Sequence, residues 1–227
     1  MATKIGIIGA MEIEIKHLLS KMEDKQEQVH ATRTFYTGKL FGKDIVLVQS
    51  GIGKVNAGIV TQTMINLFDV DYIINTGIAG SLDASLDIGD IVVSDNVYYH
   101  DVDVREFGYA IGQLPGMKNA NFVASETLLN LTPARDHIKK GTIATGDQFI
   151  NNSEIKKEIK ANFSAMCVEM EGAAIAHTCF LNDKGFLIVR SISDKADEGA
   201  KTTYRLNEEL AVERATEITE EILKGLS

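Results

Sequence analysis

The sequence has only two cysteines, no long apolar run and a deficit of positive charge, and each shortage disfavours a class of protein. Cys167 and Cys179 form no CxxC pair and no zinc spacing, so we expect two buried thiols in the reducing cytoplasm. No apolar run reaches the ~18 residues of a membrane span. Lys4 to Ala10 lacks the basic lead and cleavage site of a signal peptide. The formal net charge of −9 argues against a nucleic-acid or anionic-membrane partner.

Residue pattern predicts one α/β domain over residues 1–227, since 44% of the chain is hydrophobic and can form a full core. Strands are predicted at Lys4–Ile8, Thr34–Leu40, Asp44–Gln49, Tyr72–Asn75, Ile88–Tyr99, Gly141–Thr145, Ala165–Glu169 and Phe186–Ile192. Helices are predicted from about Glu12, over Val55–Phe68, around Ile155 to Phe163, over Gly172–Phe180, and along an apolar face from Ala211 to Leu226. This alternation predicts a mostly parallel sheet covered on both faces. The longest irregular stretch, Asp101 to about Phe122, is a candidate lid.

Polar or glycine-rich turns follow four of these strands, at the edge where α/β sheets bind ligands. These turns are Gly9-Ala10-Met11-Glu12, Thr76-Gly77, Glu169-Met170-Glu171 and Ser193-Asp194. Such a set of carboxylates predicts an acid–base site without a metal.

Each carboxylate also has an ordinary structural explanation. Glu12 and Glu14 both fit the first turn of a helix, where acidic groups stabilise the dipole, and the helical pattern does not choose between them. Glu171 could lead the next helix, and Asp194 could be an N-cap. The residue pattern alone leaves these alternatives open.

Several familiar motifs are absent from the sequence. The turn Gly51-Ile52-Gly53-Lys54 lacks the GxxxxGK[ST] spacing of a phosphate loop, and no GxGxxG follows a strand. His100, Asp101 and Asp103 have no second His or Cys at ligand spacing. No Ser or Cys lies in a GxSxG elbow. We therefore expect no metal and no cofactor, and we disfavour nucleophilic catalysis.

Eight segments, in order over nearly the whole chain, resemble the methylthioadenosine/S-adenosylhomocysteine nucleosidases. They are GIIGAMEIEI (6–15), SGIGKVNAG (50–58), INTGIAG (74–80), GDIVVSD (89–95), YHDVDVREFGYAIGQLPG (99–116), TGDQFIN (145–151), VEMEGAAIAH (168–177) and VRSISDKAD (189–197). The resemblance implies a three-layer α/β/α sandwich with a mixed central sheet, shared with purine nucleoside phosphorylases. It also implies a homodimer.

The resemblance further implies the catalytic roles. Glu14 matches the base that activates water, and Asp194 matches the acid that protonates adenine N7. Ser193 and Arg190 are expected to support the acid and the water. Asp194 must then hold a proton near neutral pH, which requires a pKa well above the ordinary ~3.9.

The substrate contacts follow from the same resemblance. Met170 and Glu171 are expected to bind the ribose, while Phe149 stacks on adenine and Ile150 reads its edge through backbone groups. The pocket for the 5′-alkylthio group is expected to be lined by Met11, Ile52, Phe107 and Tyr204. Val104 and Pro115 match loop residues that reach the neighbouring subunit's site.

The sequence departs from the family pattern at three places. Ile78 stands where serine is common, so its side chain cannot help to hold the water, and only the backbone of Ile78, Ala79 and Gly80 remains available. Tyr204 stands where phenylalanine is common. The segment after Asp197, Glu-Gly-Ala-Lys-Thr-Thr, matches no family motif.

Three alternatives to this nucleosidase remain. A purine nucleoside phosphorylase needs basic groups for phosphate, whereas the first turn offers Glu12 and Glu14 and no Arg. An aminofutalosine-type nucleosidase would share the adenine end and differ at the 5′ side, which an apolar pocket does not discriminate. A non-catalytic nucleoside-binding module would have no need of Glu14, Glu171 and Asp194 together.

Overall fold

The computed structural model describes residues 3–226 and contains a ten-stranded mixed sheet flanked by helices. The strands are β1 (Lys4–Gly9), β2 (Glu23–His30), β3 (Arg33–Leu40), β4 (Lys43–Gln49), β5 (Tyr72–Ser81), β6 (Ile91–Tyr99), β7 (Asn121–Val123), β8 (Ile138–Thr145), β9 (Cys167–Glu169) and β10 (Gly185–Asp194). The helices are α1 (Glu12–Lys21), α2 (Lys54–Phe68), α3 (Glu126–Leu129), α4 (Ser153–Phe163), α5 (Gly172–Leu181) and α6 (Ala200–Gly225).

The strand order is β10-β6-β8-β9-β5-β1-β4-β3-β2, and β10 also pairs with β5. Five strands therefore form a closed ring, from which the remaining path runs out to the edge strand β2. Strand β1 is parallel to both β4 and β5, whereas β3 runs antiparallel to both its neighbours. The predicted mixed sheet is confirmed.

The core consists of apolar strand residues covered by helices. Ile5, Ile7 and Ile8 of β1 are fully buried, as expected for a strand with helices on both faces. Helices α1 and α6 pack together, and α2 packs on α5. The small residues Ala173, Ala174 and Ala176 of α5 are buried, which allows a close approach to the sheet.

The most consequential difference from the predicted elements is the length of β5. The segment Thr76 to Gly80, predicted as a turn, continues the strand to Ser81. It does so because β10 pairs with β5 in parallel as far as Gly80, and Gly80 also pairs with Val168 of β9. The N–H of Ile78 in this extension donates a hydrogen bond to Glu14 at 3.3 Å.

Three other differences concern weak sequence signals. Strand β2 was missed because Glu23–His30 is polar and almost wholly exposed at the sheet edge. The segment after Asp197, which no motif explained, forms the start of α6 at Ala200. The predicted irregular stretch from Asp101 to Phe122 contains a short 3₁₀ helix, Arg105–Phe107, and ends in β7.

Candidate active site

A cavity of about 500 Å³ opens where several strands end. Its wall is formed by the ends of β5 and β10, by the segments after β1, β4, β8 and β9, and by the first turns of α6. It is lined by Ala10, Met11, Glu14, Ile52, Ile78, Ala79, Gly80, Gln148, Phe149, Ile150, Asn151, Val168, Glu169, Met170, Glu171, Ser193, Asp194, Lys201, Tyr204 and Arg205. The predicted strand-end site therefore corresponds to a real cavity.

Glu14, in the first turn of α1, is only 2% exposed and is held by three backbone N–H groups. Its Oε2 accepts hydrogen bonds from the N–H groups of Ala10 at 2.6 Å and Met11 at 2.9 Å, and its Oε1 from that of Ile78 at 3.3 Å. Burial raises the pKa of Glu14, whereas the nearby Arg190 charge and these hydrogen bonds act to lower it. The carboxylate is thus buried but provided with groups that stabilise its anion.

Asp194, the last residue of β10, is also 2% exposed. Its Oδ2 accepts a hydrogen bond from Ser193 Oγ at 2.8 Å, and its Oδ1 accepts one from the N–H of Ala196 at 2.9 Å. Burial raises the pKa of Asp194, with these two hydrogen bonds acting in the opposite direction. In the part of the chain that the structure describes, no lysine or arginine nitrogen lies within 4.0 Å of its carboxylate.

The structure decides among the alternatives that the sequence left open. Glu12 is exposed and lies outside the cavity, so Glu14 is the carboxylate directed to the site. Glu171 is the residue before α5, yet its side chain caps no N–H group of that helix. Asp194 lies within β10 and is not a helix N-cap.

Behind the wall of the cavity at Glu169 and Glu171, Arg190 joins buried polar groups of three strands. Its Nη2 donates hydrogen bonds to Glu169 Oε2 and Asn75 Oδ1 and lies 3.5 Å from Glu171 Oε2. Burial and the Glu169 charge raise the pKa of Glu171, and Arg190 acts to lower it. Arg190 is 1% exposed and does not line the cavity, so it positions the carboxylates from behind.

Glu169, a predicted strand-end carboxylate for which the family resemblance gave no separate role, has the densest set of contacts in this group. Its carboxylate accepts hydrogen bonds from Thr145 Oγ1 and from the N–H groups of Glu171 at 3.1 Å and Gly172 at 2.8 Å. Alternation along β9 was the available signal, because it places Glu169 and Glu171 on one side of an extended chain. Asn75, inside an apolar strand, gave no comparable signal.

The glycine turn after β4 supplies one further contact to this carboxylate group. Gly51 and Gly53 have φ angles of 84° and 99°, a region that residues with side chains rarely adopt. The resulting path directs the N–H of Gly53 to Glu171 Oε1 at 2.8 Å. A turn that resembled a phosphate loop in sequence therefore binds a carboxylate of the same chain.

Most of the predicted contact residues line the cavity, but Phe107 does not. Phe149 and Ile52 are about half-exposed at its wall, and Tyr204 lies beside Met11, with the Tyr204 hydroxyl 3.4 Å from Met11 Sδ. Phe107 is 80% exposed in the 3₁₀ helix and lies outside the cavity of its own chain, so its place in the 5′ pocket stays a prediction.

The loop residues predicted to reach a partner's site also lie away from the cavity. Val104 is half-buried and Pro115 is exposed, and neither contributes to the wall. Their contact with the site of a neighbouring subunit therefore stays a prediction.

Two further observations concern metal binding and membrane spans. Within residues 3–226, no group of three or more His, Cys, Asp or Glu side chains has an arrangement suited to a metal ion. No helix in the same range combines the length and apolar character needed to cross a membrane.

Comparison with known proteins identifies the family. Residues 4–224 match the family model of the Phosphorylase superfamily. The chain is 46% identical to the 5′-methylthioadenosine/S-adenosylhomocysteine nucleosidase of Staphylococcus saprophyticus, over 98% of this chain and 100% of that protein.

Two solved structures extend this comparison. The same kind of nucleosidase from Neisseria meningitidis, in complex with methylthio-immucillin-A, superposes with a TM-score of 0.94 at 39% identity, covering 99% of this chain and 100% of that one. A futalosine hydrolase from Helicobacter pylori has a TM-score of 0.94 at 33% identity, covering 100% and 99% of the two chains. The chain therefore belongs to the Phosphorylase superfamily and, within it, to the 5′-methylthioadenosine/S-adenosylhomocysteine nucleosidases.

Proposed function

We propose that this protein hydrolyses the N-glycosidic bond of 5′-methylthioadenosine and S-adenosylhomocysteine, releasing adenine and the 5-thio-substituted ribose. The observation that carries the proposal is the convergence of four buried carboxylates, Glu14, Glu169, Glu171 and Asp194, on one cavity in a chain of this family. Buried carboxylates with opposed tasks are typical of acid–base catalysis.

Departure of adenine is the first task of the site. Adenine is a poor leaving group as an anion, so Asp194 donates a proton to N7. Burial of Asp194 without a cation in contact supports this role, because its raised pKa favours the protonated form. General acid catalysis of this kind contributes ~10²–10⁴-fold to the rate.

The second task is to stabilise a cationic sugar and deliver water to it. Ionised Glu171 supplies negative charge beside the ribose, a form that the Arg190 guanidinium favours against the burial and the Glu169 charge that raise the pKa of Glu171 to about 8. Glu14 removes a proton from the attacking water. Burial raises the pKa of both residues, but three N–H groups and the Arg190 charge act to lower it at Glu14, whereas two hydrogen bonds are the main opposing contacts at Asp194. This difference in environment supports opposite protonation states for the two residues.

Binding of the nucleoside would use the rest of the wall. Phe149 stacks on adenine, and backbone groups of Ile150 read its edge. Met170 and Glu171 hold the ribose hydroxyls, while Met11, Ile52 and Tyr204 surround the 5′ substituent. The position of all these residues on one cavity wall supports the arrangement.

Phosphorolysis is the closest alternative, and the structure modifies the argument against it. An arginine, Arg190, does lie close to Glu14, but its guanidinium is bonded to Glu169 and Asn75 and faces Glu171 as well. These carboxylates neutralise the guanidinium charge, so Arg190 is not free to bind a phosphate. A phosphate dianion would also meet the buried Glu14 carboxylate at the water position.

The direct test measures adenine release from 5′-methylthioadenosine in phosphate-free buffer and again with added phosphate, and identifies the sugar. Release without phosphate that yields free 5-methylthioribose supports the proposal. Release that requires phosphate and yields the ribose 1-phosphate would make the protein a phosphorylase. Tight adenine binding without any release would instead indicate a binding module.

Activity on an aminofutalosine-type nucleoside is a second candidate. The similarity to the Helicobacter pylori futalosine hydrolase favours it, as does the apolar contribution of Met11 and Ile52 to the wall. Comparing kcat/KM for this nucleoside and for 5′-methylthioadenosine, at equal enzyme concentration, ranks the two substrates.

We also propose a homodimer in which Val104 and Pro115 reach the neighbouring site. An exposed apolar surface on the packed pair α2 and α5 supports it, with side-chain exposures of 71% at Val55, 49% at Ile59 and 59% at Phe180. Light scattering of the Val55→Glu variant, with the edge-strand variant Val29→Glu as control, tests the surface. A fully active monomer would rule out the role of the two loop residues.

A cytoplasmic location completes the proposal. Cys167 and Cys179 are free and buried, as expected for a protein of a reducing compartment. Fractionation of cells that express the protein, with a known cytoplasmic enzyme as marker, tests this location.

A further inference from the structure

Charged side chains of α6 lie at the cavity although the proposed reaction does not use them. Lys201 and Arg205 both contribute to the wall, and their spacing of four residues places them on one face of the helix. Neither side chain has a carboxylate within 4.0 Å among residues 3–226. Two cations without an ion-pair partner are therefore directed towards the space that a ligand would occupy.

A carboxylate and a hydroxyl lie on the same part of the helix. The Tyr204 hydroxyl donates a hydrogen bond to Glu208 Oε1 at 2.6 Å and lies 3.4 Å from Met11 Sδ. Since Met11 borders the 5′ pocket in the proposed function, this contact places the tyrosine hydroxyl at the 5′ end of the cavity. The Tyr204 hydroxyl thus connects Glu208, which does not itself line the cavity, to that end, and Arg205 follows Tyr204 on the cavity wall.

The two proposed substrates differ at this end. The methylthio group of 5′-methylthioadenosine is short, apolar and uncharged. The homocysteinyl group of S-adenosylhomocysteine ends in an α-amino acid, which carries a carboxylate and an ammonium on the same carbon. A guanidinium binds a carboxylate through charge-assisted hydrogen bonds, and a carboxylate binds an ammonium in the same way.

We propose that the first turns of α6 form a subsite for the amino-acid group of a zwitterionic 5′ substituent. Arg205 and Lys201 bind its carboxylate, and Glu208 and the Tyr204 hydroxyl bind its ammonium. This inference rests on the proposed function, since it concerns the tail of the same substrate. The apolar wall of Met11 and Ile52 accepts the thioether in both substrates. The subsite adds contacts that S-adenosylhomocysteine can make and 5′-methylthioadenosine cannot.

The expected effects are moderate because Lys201 and Arg205 are exposed to solvent. Exposed charge pairs contribute little each, so the double variant Lys201→Gln/Arg205→Gln is expected to lower kcat/KM for S-adenosylhomocysteine by about 3- to 10-fold. The loss should arise from KM, since the tail takes no part in bond breaking. It should shrink as ionic strength rises, because salt screens the wild-type interaction.

The test compares kcat and KM of the wild-type protein and the double variant for both substrates. The subsite predicts a selective loss for S-adenosylhomocysteine, with 5′-methylthioadenosine changed by less than about twofold. Arg214→Gln is the matched control, because Arg214 lies on the same helix, pairs with Glu217 and is absent from the cavity wall. The analogue 5′-(3-aminopropylthio)adenosine, which lacks the carboxylate, should lose the dependence on Arg205 and retain a response to Glu208→Gln.

Two results would overturn the inference. An unchanged KM for S-adenosylhomocysteine in the double variant would mean that the tail lies in solvent. Equal losses for both substrates would assign the two cations to the structure of the cavity. Absence of adenine release from either substrate by the wild-type protein is a separate result, which would overturn the proposed function and this inference with it.

Discussion

The Lys54 ammonium lies 2.6 Å from Asp101 Oδ2, in an ion pair that is partly shielded from solvent. The same Asp101 oxygen accepts a hydrogen bond from the N–H of Asp147 at 3.0 Å, and Asp147 Oδ1 accepts one from the N–H of Lys54 at 2.8 Å. These contacts join the glycine turn, whose Gly53 binds Glu171, to the segment that carries Phe149. The Glu171 and Phe149 parts of the cavity wall, proposed to bind ribose and adenine, are thereby connected outside the cavity itself.

This connection predicts that Lys54→Met loosens both sides of the site. We expect KM for 5′-methylthioadenosine to rise by roughly 3- to 10-fold with a smaller change in kcat, because positioning is lost while the acid and base remain. Steady-state kinetics measures both constants. Lys39→Met is the matched control, since Lys39 forms an exposed pair with Asp44 at a distance from the cavity, and equal effects of the two variants would contradict the prediction.

Gly77 separates Glu14 from Arg190 and leaves no space for a side chain. A Cβ atom at this position would overlap both Glu14 Oε1 and Arg190 Nη1, and both of these groups are buried. Gly77→Ala is therefore expected to reduce kcat by at least about 10²-fold, through displacement of Glu14 from the water position.

The control for Gly77→Ala is Gly58→Ala on α2. A Cβ atom at Gly58 would meet only Thr178 Oγ1, at 3.7 Å, and alanine has the higher helix propensity. We expect this variant to retain activity with equal or higher stability, measured by thermal unfolding. Retention of wild-type kcat by Gly77→Ala would contradict the close packing of Glu14 and Arg190.

Ile78 stands where serine is common in the family, but the structure gives it two contacts that need no hydroxyl group. Its N–H donates to Glu14, so this contact needs no side-chain hydroxyl. The side chain is 8% exposed and packs in a cluster with Ala211 and Val212 of α6. In place of the hydroxyl group of a serine, the Ile78 side chain provides apolar packing between β5 and α6.

Ile78→Ser is accordingly expected to destabilise the fold more than it alters catalysis. Loss of the buried side chain predicts a decrease of about 2–4 kcal/mol in the free energy of unfolding, whereas kcat should change by only a few-fold. Urea unfolding and steady-state kinetics measure the two effects, with Ile78→Val as the volume control. A large loss of kcat at unchanged stability would mean that the isoleucine side chain forms an essential wall of the site.

Sequence reasoning located the strand ends because burial and chain direction are local properties. Glu14, Glu171 and Asp194 come from distant parts of the chain. Each lies at or shortly after the carboxyl end of an apolar strand, and these strand ends meet at one edge of the sheet. The mixed sheet and the cavity followed from this pattern together with the family motifs.

What the sequence could not provide were contacts set by tertiary packing. The hydrogen bonds of Arg190 to Asn75 and Glu169 join strands that are up to 115 positions apart, and no local pattern encodes them. The choice of Glu14 over Glu12 depended on a rotation of α1 that the helical pattern left undecided. Strand β2 has no apolar face, so only its pairing with β3 defines it.

The general-acid role proposed for Asp194 predicts that Asp194→Asn loses turnover but keeps its affinity for adenine. In Asp194→Asn the proton donor to N7 is absent, so kcat should fall by at least about 10²-fold. The amide fills nearly the same volume, and calorimetric titration with adenine should give an affinity within a few-fold of wild type. Near-wild-type turnover would remove the general-acid role.

The same variant predicts a pH-dependent change in stability. Because burial raises the pKa of Asp194 in the folded state above the ~3.9 of an unfolded chain, the folded state binds this proton more tightly. The resulting stabilisation is fully present below the unfolded pKa and is lost as pH rises through the folded pKa. An asparagine side chain does not titrate, so Asp194→Asn should raise Tm over wild type at about pH 7.5 and by less at about pH 4.

Thermal unfolding of both proteins across this pH range measures the difference. Asp87→Asn is the control for removal of one negative charge, because the Asp87 side chain is 91% exposed. If Asp194→Asn instead lowered Tm most strongly at high pH, the ionised carboxylate would be stabilising the fold. Asp194 would then hold no proton at neutral pH, and the proton for N7 would have to come from another group.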